Sequence, residues 1–366
     1  MRRSWTLGVA LLLAACGGTA PASSGAPASA AAKPAEGAIK IGYVVPLTGP
    51  TSAVGKDNLD GFNLYLDSVK NTVAGRTIQV LPLDDESNKV DVATARAKQA
   101  IENDKVQLIA GLEGTPTVLA VVPIARDARV PVAITGNGGT ATLMTDPKTT
   151  NPYLTRWTVS ITQFGDAVGE WATKQNYRKA SILASDYGGG LQVADGTAAS
   201  FVRHGGAIVQ EQYPPMGTAD YGPLMAKLDP SADVILSFLP GTDGLRFLQT
   251  LPDYAGSRKL GVIDVGNVAT SGPNIAQLKD KAVGVVASGE WTEGLESPMN
   301  ADFQKQFGQK FPGRLLSRDV AEGYAGGQIV AAALQKVSGR IEDTQAFLQA
   351  LYATDMDTIK GHIYGL

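Results

Sequence analysis

The chain alternates short apolar runs with amphipathic segments, and this alternation constrains its fold more than any other feature. After the run Ile39–Val45, for example, Leu59, Phe62 and Leu66 recur at helical spacing. Strands that alternate with helices build βαβ units and parallel sheets. The predicted strands are Ile39–Val45, Ile78–Leu83, Val106–Ala110, Val130–Ile134, Ala180–Ala184, Ala207–Gln210, Asp233–Phe238, Gly261–Asp264 and Ala282–Ala287.

The globular region, from about residue 38 onwards, predicts two α/β lobes. It is long for a single core, and the strand series breaks near Asn151–Trp157. Three further helical segments, 300–311, 318–337 and 344–352, have no strands of their own. We expect them to pack on the first lobe.

The first residues have the pattern of a bacterial lipoprotein leader. Arg2 and Arg3 precede an apolar stretch, Leu7–Ala15, that is shorter than the roughly 20 residues needed to span a bilayer. Cys16 follows in the sequence LAAC and is the only cysteine of the chain. We expect a signal peptide over residues 1–15 and a lipid on Cys16. An ordinary secretory signal with an incidental cysteine is the alternative.

Residues 16–37 are rich in Ala, Ser, Pro and Gly, a composition that cannot bury enough apolar surface to fold. They are expected to form a flexible tether. Anchor, tether and globular region together predict a protein in the periplasm or on the outer face of the cell membrane, attached through its lipid.

The loop Pro46–Asn58 follows a strand and contains Gly-Lys, but it does not fit a nucleotide-binding P-loop. Five residues separate Gly49 from Gly55, where the motif has four, and Asp57 stands where Ser or Thr would hold Mg²⁺. The sequence GNGGTA also matches a loose dinucleotide pattern, without the acidic residue expected about 20 positions later. No nucleotide cofactor is predicted.

Catalytic and nucleic-acid motifs are weak. His204 and His362 are the only histidines, neither has zinc-site spacing, and there is no G-x-S-x-G elbow. With a formal net charge of −3 and no basic run, nucleic acid is not an expected partner. The chain is therefore predicted not to be an enzyme, with no cofactor and no metal; a hydrolase remains a minor alternative.

Four loops that follow predicted strands are rich in Gly, Thr and Ser. Ligands bind beyond the carboxyl ends of parallel strands, where backbone amides and helix N-termini favour a carboxylate. Each loop alone could simply form a turn, but four in one chain predict a carboxylate-binding cleft. The loops are 111–120, 135–141, 185–192 and 264–272.

The segments IKIGYVVPLTGPTSAVGKDN, VQLIAGLEGTPTVLAVVPIARDARVPVAI and ASDYGGGLQVADG resemble the leucine/isoleucine/valine-type substrate-binding proteins of bacterial ABC transporters. The resemblance runs from about Ile39 to the end. It implies a type I periplasmic binding fold: two Rossmann-like lobes with parallel sheets, joined by three crossing strands around a ligand cleft. The implied first lobe is 38–154 with 290–355. The implied second lobe is 155–289 with 356–366, ending sooner than is usual in the family.

The resemblance also implies site residues. The ligand carboxylate is expected on hydroxyls and amides of Thr115, Thr117, Gly136 and Gly138, with Asn137 beside them. Tyr187 would cover the ligand from the second lobe, and Asp264 is the nearest candidate for an α-ammonium. Phe238 stands where the family has a second pocket tyrosine.

These residues predict a monomeric solute receptor that binds a small carboxylate, an amino acid of branched-chain type, and delivers it to an ABC permease. The departures from the family pattern leave an aromatic or other organic acid, an amide or urea as alternatives. A ligand-sensing domain would use the same cleft.

Overall fold

Two helix-covered sheets make up most of the described chain. The computed structural model describes residues 37–139, 142–145, 151–159, 163–255 and 260–365. The expected signal peptide, Cys16 and nearly all of the expected tether lie outside these residues. Within the described part, no helix is both long and apolar enough to cross a bilayer.

In the first sheet, described strands run in the order β2-β3-β1-β4-β5-β6 and are parallel except for the β2–β3 pair. β1 is flanked by β3 and β4, so that Ile41 lies opposite both Val80 and Leu108. The strands are β1 (Ile39–Val45), β2 (Thr72–Val73), β3 (Arg76–Asp84), β4 (Leu108–Gly111), β5 (Val132–Ile134) and β6 (Leu154–Arg156).

Helices cover both faces of this sheet because its central strands are apolar on both sides. Helix α1 lies on one face beside two helices from the end of the chain, and α2 and α3 bury the other face. The described helices of this lobe are α1 (Ser52–Ser68), α2 (Val90–Glu102), α3 (Thr115–Asp127), α4 (Thr142–Thr145), α10 (Pro298–Lys310), α11 (Arg318–Lys336) and α12 (Thr344–Tyr352).

Helix α11 connects the late part of the chain to the first lobe. It packs along α1 through two glycines: a Cβ on Gly61 would lie 1.9 Å from the Val320 carbonyl oxygen, and one on Gly323 would lie 1.8 Å from the Asn58 carbonyl oxygen. Ser317 begins the helix as its N-cap, accepting from the Val320 amide. Helix α11, one of the three helical segments without strands of their own, therefore packs on the first lobe.

The second sheet is parallel, in the order β11-β10-β9-β7-β8 among the described strands. Helices α5 and α6 bury one face, while α7 and α8 bury the other. Its elements are α5 (Gln163–Lys174), β7 (Lys179–Ala184), α6 (Gly188–Arg203), β8 (Ala207–Gln212), α7 (Gly222–Ala226), β9 (Val234–Phe238), α8 (Thr242–Ala255), β10 (Gly261–Asp264), α9 (Pro273–Leu278) and β11 (Val285–Ala287).

The chain closes on an antiparallel hairpin of β12 (Asp355–Thr358) and β13 (Gly361–Tyr364). Ile359 packs in a cluster with Phe303 and Tyr324, and Ile363 packs against the core beneath β1. The hairpin therefore lies on the first lobe, whereas residues 356–366 were expected in the second. Within the described residues the chain passes between the sheets twice, after β6 and after β11, where the resemblance implies three crossings.

Candidate functional site

A small cavity lies between the carboxyl ends of the two sheets. Its wall combines side chains from the first lobe, such as Val54 and Thr115, with Phe164, Tyr187 and Phe238 from the second. Its volume is about 50 Å³. A single buried water needs roughly 10–15 Å³. The lobes meet around this space without filling it.

The loops that close the cavity are in direct contact. A Cβ on Gly241 of the second lobe would lie 2.9 Å from the Pro50 carbonyl oxygen of the first. On another side the backbone amide of Arg318 donates to Ser271 Oγ at 3.2 Å. The described conformation is therefore a closed one.

The β4–α3 loop brings Glu113 and Thr115 to the cavity. Gly111 and Leu112 both have positive φ, 83° and 69°, which turns the chain before the helix. Gly114 packs closely against Asn88, since a Cβ there would lie 1.2 Å from Asn88 Oδ1 and would displace that side chain. Thr115 is buried at the first position of α3, where its Oγ1 accepts from the Gly139 amide at 3.3 Å.

Thr117 was predicted to contact the ligand, but it faces away from the cavity. It is fully buried and its hydroxyl donates to Asp85 Oδ2 at 2.8 Å. The reason is helical geometry: two positions along a helix point in different directions. Thr115 and Thr117 therefore do not form one hydroxyl pair.

The loop after β5 brings one of its three predicted residues to the cavity. Asn137 lines it, and its backbone amide donates to Glu113 Oε2 at 3.1 Å. The amide of Gly136 donates instead to the Gly111 carbonyl at 2.8 Å, and that of Gly138 to the Leu112 carbonyl at 2.9 Å. Both amides thus bind the neighbouring loop.

Asp264 was expected to hold an ammonium, yet its carboxylate is occupied by its own loop. It is completely buried and accepts from the backbone amides of Val268, Ala269 and Thr270, and from the Thr270 hydroxyl at 2.7 Å. A carboxylate with this many donors stabilises a loop. It does not line the cavity.

The second lobe supplies an aromatic wall. Tyr187 is the residue that precedes α6, and Phe238 ends β9, so both stand at the carboxyl edge of the sheet and line the cavity. Phe164, at the start of α5, completes the wall, and the Arg318 guanidinium carbon lies 5.5 Å from the centre of its ring. Burial raises the pKa of Tyr187 well above its ordinary value, so its hydroxyl stays protonated.

Charged residues at the start of α11 complete the site, and the sequence interpretation did not include them. Arg318 and Asp319 line the cavity, with Nη2 of Arg318 3.0 Å from Asp319 Oδ1. Glu322 lies one turn further, 3.7 Å from Arg318 Nη1. The signal that could have identified them is a cluster of charges at the start of a helix that is otherwise almost entirely apolar.

The acids at this site are protonated more readily than free acids. Burial, together with the nearby charge of Asp319, raises the pKa of Glu113 to about 8. Burial raises the pKa of Asp319 to about 6, although Arg318 opposes the shift. Glu113 therefore keeps its proton up to about pH 8, and Asp319 gains one as the pH falls towards 6. Such shifts are common at functional sites.

Several polar atoms around the cavity lack a hydrogen-bond partner among the described residues. They include Arg318 Nε and Nη1, Glu113 Oε1 and Asn137 Oδ1. An unpaired buried polar group costs roughly 1–3 kcal/mol, and more when it is charged. The cavity thus offers both donors and acceptors to a small molecule, against an apolar wall.

Comparisons with known proteins agree with this description. The family model described as periplasmic binding protein matches residues 38–364. The Leu/Ile/Val-binding protein homolog 6 of Brucella melitensis is 27% identical over 271 residues, which cover 73% of this chain and 68% of that protein.

Two solved structures have the same fold at 28% identity. An ABC transporter substrate-binding protein from Sphaerobacter thermophilus superposes with a TM-score of 0.82, over 89% of this chain and 88% of that one. A solute-binding protein of an ABC transporter from Rhodopseudomonas palustris, solved with 3,4-dihydroxybenzoic acid, gives a TM-score of 0.83 over 90% and 89%.

The predicted fold class, a type I periplasmic binding fold with a cleft between two α/β lobes, is therefore confirmed. Family members are transport proteins of the extracytoplasmic space. The chain belongs to the periplasmic binding protein family and is a solute-binding protein of an ABC transporter.

Proposed function

We propose that this protein captures an amino acid with an apolar side chain and delivers it to an ABC permease. The observation that carries the proposal is the pairing of opposite charges at one apolar cavity. Arg318 Nε and Nη1 and Glu113 Oε1 have no hydrogen-bond partner among the described residues, and Asp319, which pairs with Arg318 Nη2, adds a second acid. A zwitterion satisfies both sets at once, which a simple anion or a simple amine does not.

The carboxylate end has its natural position near Arg318 and Thr115. A guanidinium can hold a carboxylate with two parallel hydrogen bonds, and the Thr115 hydroxyl, which accepts from Gly139, still has its own proton to donate. In a closed cavity with little water these charge-assisted bonds are stronger than in solution.

The side chain of the ligand would pack on the apolar wall. This wall is formed by Val54, Phe164, Met216, Phe238, Pro240 and Val268. Burying an aliphatic side chain such as that of leucine contributes about 1.5–3 kcal/mol to binding. A polar side chain would lack partners there, so we propose that the preference is for leucine-like amino acids, in line with the name of the Brucella relative.

Titration calorimetry with three matched compounds tests the proposal. L-leucine has both charges, 4-methylpentanoate lacks the ammonium, and 3-methylbutylamine lacks the carboxylate. We expect leucine to bind with one site per chain. Each analogue should bind at least about tenfold more weakly, since each loses a charged hydrogen bond. Equal binding of all three, or no binding of leucine, would contradict the proposal.

A second candidate ligand is an aromatic acid. Three aromatic rings (Phe164, Tyr187 and Phe238) face the cavity, and the Rhodopseudomonas relative was solved with 3,4-dihydroxybenzoic acid. Its carboxylate could pair with Arg318 and its hydroxyls could donate to Glu113 and Asp319. Adding 3,4-dihydroxybenzoate and benzoate to the same titration decides between the two classes. Tighter binding of either than of leucine favours this alternative.

We also propose that the mature protein is anchored through a lipid on Cys16. The support is the LAAC sequence after a short apolar stretch. In cells fed a labelled fatty acid, the wild-type chain should be labelled and remain with membranes, while Cys16→Ser should be unlabelled. A labelled Cys16→Ser chain, or an unlabelled wild type, would show that the leader is not a lipoprotein leader.

A further inference from the structure

Three carboxyl groups converge behind the cavity, from two separate parts of the chain. One oxygen each of Glu113, Asp319 and Glu322 lies within 4.8 Å of the others. Glu113 comes from the loop after β4, whereas the other two come from the first two turns of α11. We call these three residues the carboxyl cluster.

The carboxyl cluster has few hydrogen-bond donors. Glu113 Oε1 and both oxygens of Glu322 have no hydrogen-bond partner in the described part of the chain. Asp319 Oδ1 has Arg318 Nη2 at 3.0 Å, and Glu113 Oε2 accepts from the Asn137 amide. Asn137 Oδ1, which is buried and lines the same cavity, has none either. Converging acceptors with so few donors are unfavourable, so this place favours either a shared proton or a donor that carries positive charge.

The acids in and around the carboxyl cluster outnumber the neighbouring cations by one. Lys360 is 2.7 Å from Glu290. Burial alone would raise the pKa of Glu290, but the charge of Lys360 outweighs burial and the pKa falls to about 2. Arg318 lies between Asp319 and Glu322. Besides Asp57, which pairs with Arg314, the described acids of this region are Glu113, Asp319, Glu322 and Glu290, and the described cations are Arg318, Lys360 and Arg156.

We infer that the carboxyl cluster is the subsite for the ligand's primary ammonium group, which binds at Glu113 and Asp319 and displaces a proton that the cluster shares when the cavity is empty. The inference rests on the proposed function. It assigns the role that the sequence interpretation gave to Asp264.

An ammonium fits this subsite better than a divalent metal ion does. It carries one charge, which equals the deficit, and three donors, which suit several separate acceptors. A divalent ion would stand next to the Arg318 guanidinium, which is only 3.0 Å from Asp319, and would be repelled by it. Mg²⁺ also requires near-octahedral coordination and keeps several waters.

The titration of the cluster gives the direction of the pH effect. Burial raises the pKa of Glu113 to about 8 and that of Glu322 well above its ordinary value. An incoming ammonium stabilises the ionised carboxylates, so their proton is released on binding. Affinity should therefore rise with pH as long as the empty cluster is protonated, up to about pH 8.

Other charged or titratable groups also influence the cluster, so the variants used in the test leave these residues unchanged. Those that interact electrostatically with its members are Arg318, Asp57, Glu290, Lys360, Arg156, Tyr43 and Tyr187.

Calorimetry of L-leucine binding in two buffers, phosphate and Tris, tests the inference on the full wild-type chain. Because the buffers differ in ionisation enthalpy, the difference in observed heat counts the protons released. We expect about one proton per leucine at pH 7. Between pH 6 and 7.5 the dissociation constant should fall by about tenfold per pH unit.

Two isosteric variants locate the proton. Glu113→Gln should weaken leucine binding at pH 8 by tenfold or more and abolish proton release. Asp166→Asn, an exposed acid paired with Arg203 on the surface of α5, should change neither quantity. If Glu113→Gln does not fold, the wild-type buffer comparison still decides the question.

The outcomes separate the two proposals. Leucine that binds without releasing a proton, or with proton release unchanged in Glu113→Gln, overturns the ammonium subsite while the proposed function stands. Absence of leucine binding at every pH overturns the proposed function first. A rise in melting temperature with millimolar MgCl₂ or CaCl₂ and no amino acid would make the cluster a metal site and overturn the inference.

Discussion

Asp264 illustrates, at the scale of single residues, why a buried carboxylate near a cleft is not automatically a ligand contact. Its oxygens accept from three backbone amides and one hydroxyl of the loop that follows β10. The sequence predicted the position of this acid at the end of a strand correctly, but the use of its hydrogen bonds depends on how residues 265–270 fold back.

Replacing this acid by its amide should affect stability rather than recognition. In Asp264→Asn an NH₂ group would face backbone donors, so we expect a loss of about 1.5–3 kcal/mol in the free energy of unfolding. Urea denaturation measures this loss. The preference for leucine over 4-methylpentanoate should be unchanged. A stable variant that no longer prefers leucine would return the ammonium role to Asp264.

Thr115 and Thr117 provide a matched pair of substitutions. Thr115→Val removes a hydroxyl at the cavity and should weaken ligand binding by about tenfold. Thr117→Val removes the hydrogen bond to buried Asp85 and should lower the melting temperature with little change in affinity. Calorimetry and thermal unfolding of both variants check this division. The reverse pattern would contradict the described orientation of α3.

At the scale of elements, the sequence predicted most of the fold because strong local patterns mark it. The apolar run Ile39–Val45 forms β1 with the same limits, and the helix predicted over 318–337 is α11. The β12–β13 hairpin was missed because each strand has only four residues and a single β-branched one, Thr358 or Ile363, which is a weak local signal.

The cleft was predicted in part for a related reason. Phe238 ends a strand, Thr115, Asn137 and Tyr187 lie a few residues after one, and all four line the cavity. Arg318 reaches the same cavity from a helix far along the chain. The charges at the start of that helix are a local signal, but they do not indicate which cavity they reach. Only the packing of α11 on α1 brings its charges to the first lobe.

That packing depends on the two glycines at the α1–α11 contact. Gly61→Ala or Gly323→Ala would force the helices apart, and we expect each to cost about 1–3 kcal/mol of stability. Gly308→Ala in α10 is the control, because a Cβ there meets nothing within 4 Å. It should stabilise the helix by about 0.5–1 kcal/mol. Chemical denaturation of the three variants tests this; a neutral Gly61→Ala would contradict the close contact.

The final hairpin contains a histidine, His362, that lies between two aspartates, and the strength of this contact depends on pH. His362 Nδ1 is 2.9 Å from Asp357, and Nε2 is 2.9 Å from Asp355. The hydrogen bond to Asp357, followed by the charge of Asp355, raises the pKa of His362. Because the pKa of His362 is higher in the folded than in the unfolded protein, the contact contributes its full stabilisation of the folded state below about pH 6.5. Its contribution is lost as the pH rises through the raised pKa.

An NMR titration of the His362 ring measures this shift. The midpoint should lie above about 6.5, the value of a free histidine, and should move down in Asp357→Asn. A midpoint at or below the free value would mean that the two aspartates do not hold the ring in solution.

At the scale of the whole molecule, ligand capture and closure are one event. Arg318 belongs to the first lobe but lies over Phe164 of the second and donates to Ser271 there. A ligand that contacts both lobes stabilises the closed state by its additional contacts. The small closed cavity and the unpaired charges around it are therefore parts of the same mechanism.

The most direct test of this account is a crystal structure of the protein grown with L-leucine. We expect density for one leucine between the lobes, with its carboxylate on Arg318 and Thr115 and its ammonium on Glu113 and Asp319. An empty cavity at saturating leucine, or a leucine bound elsewhere with these four side chains untouched, would contradict it.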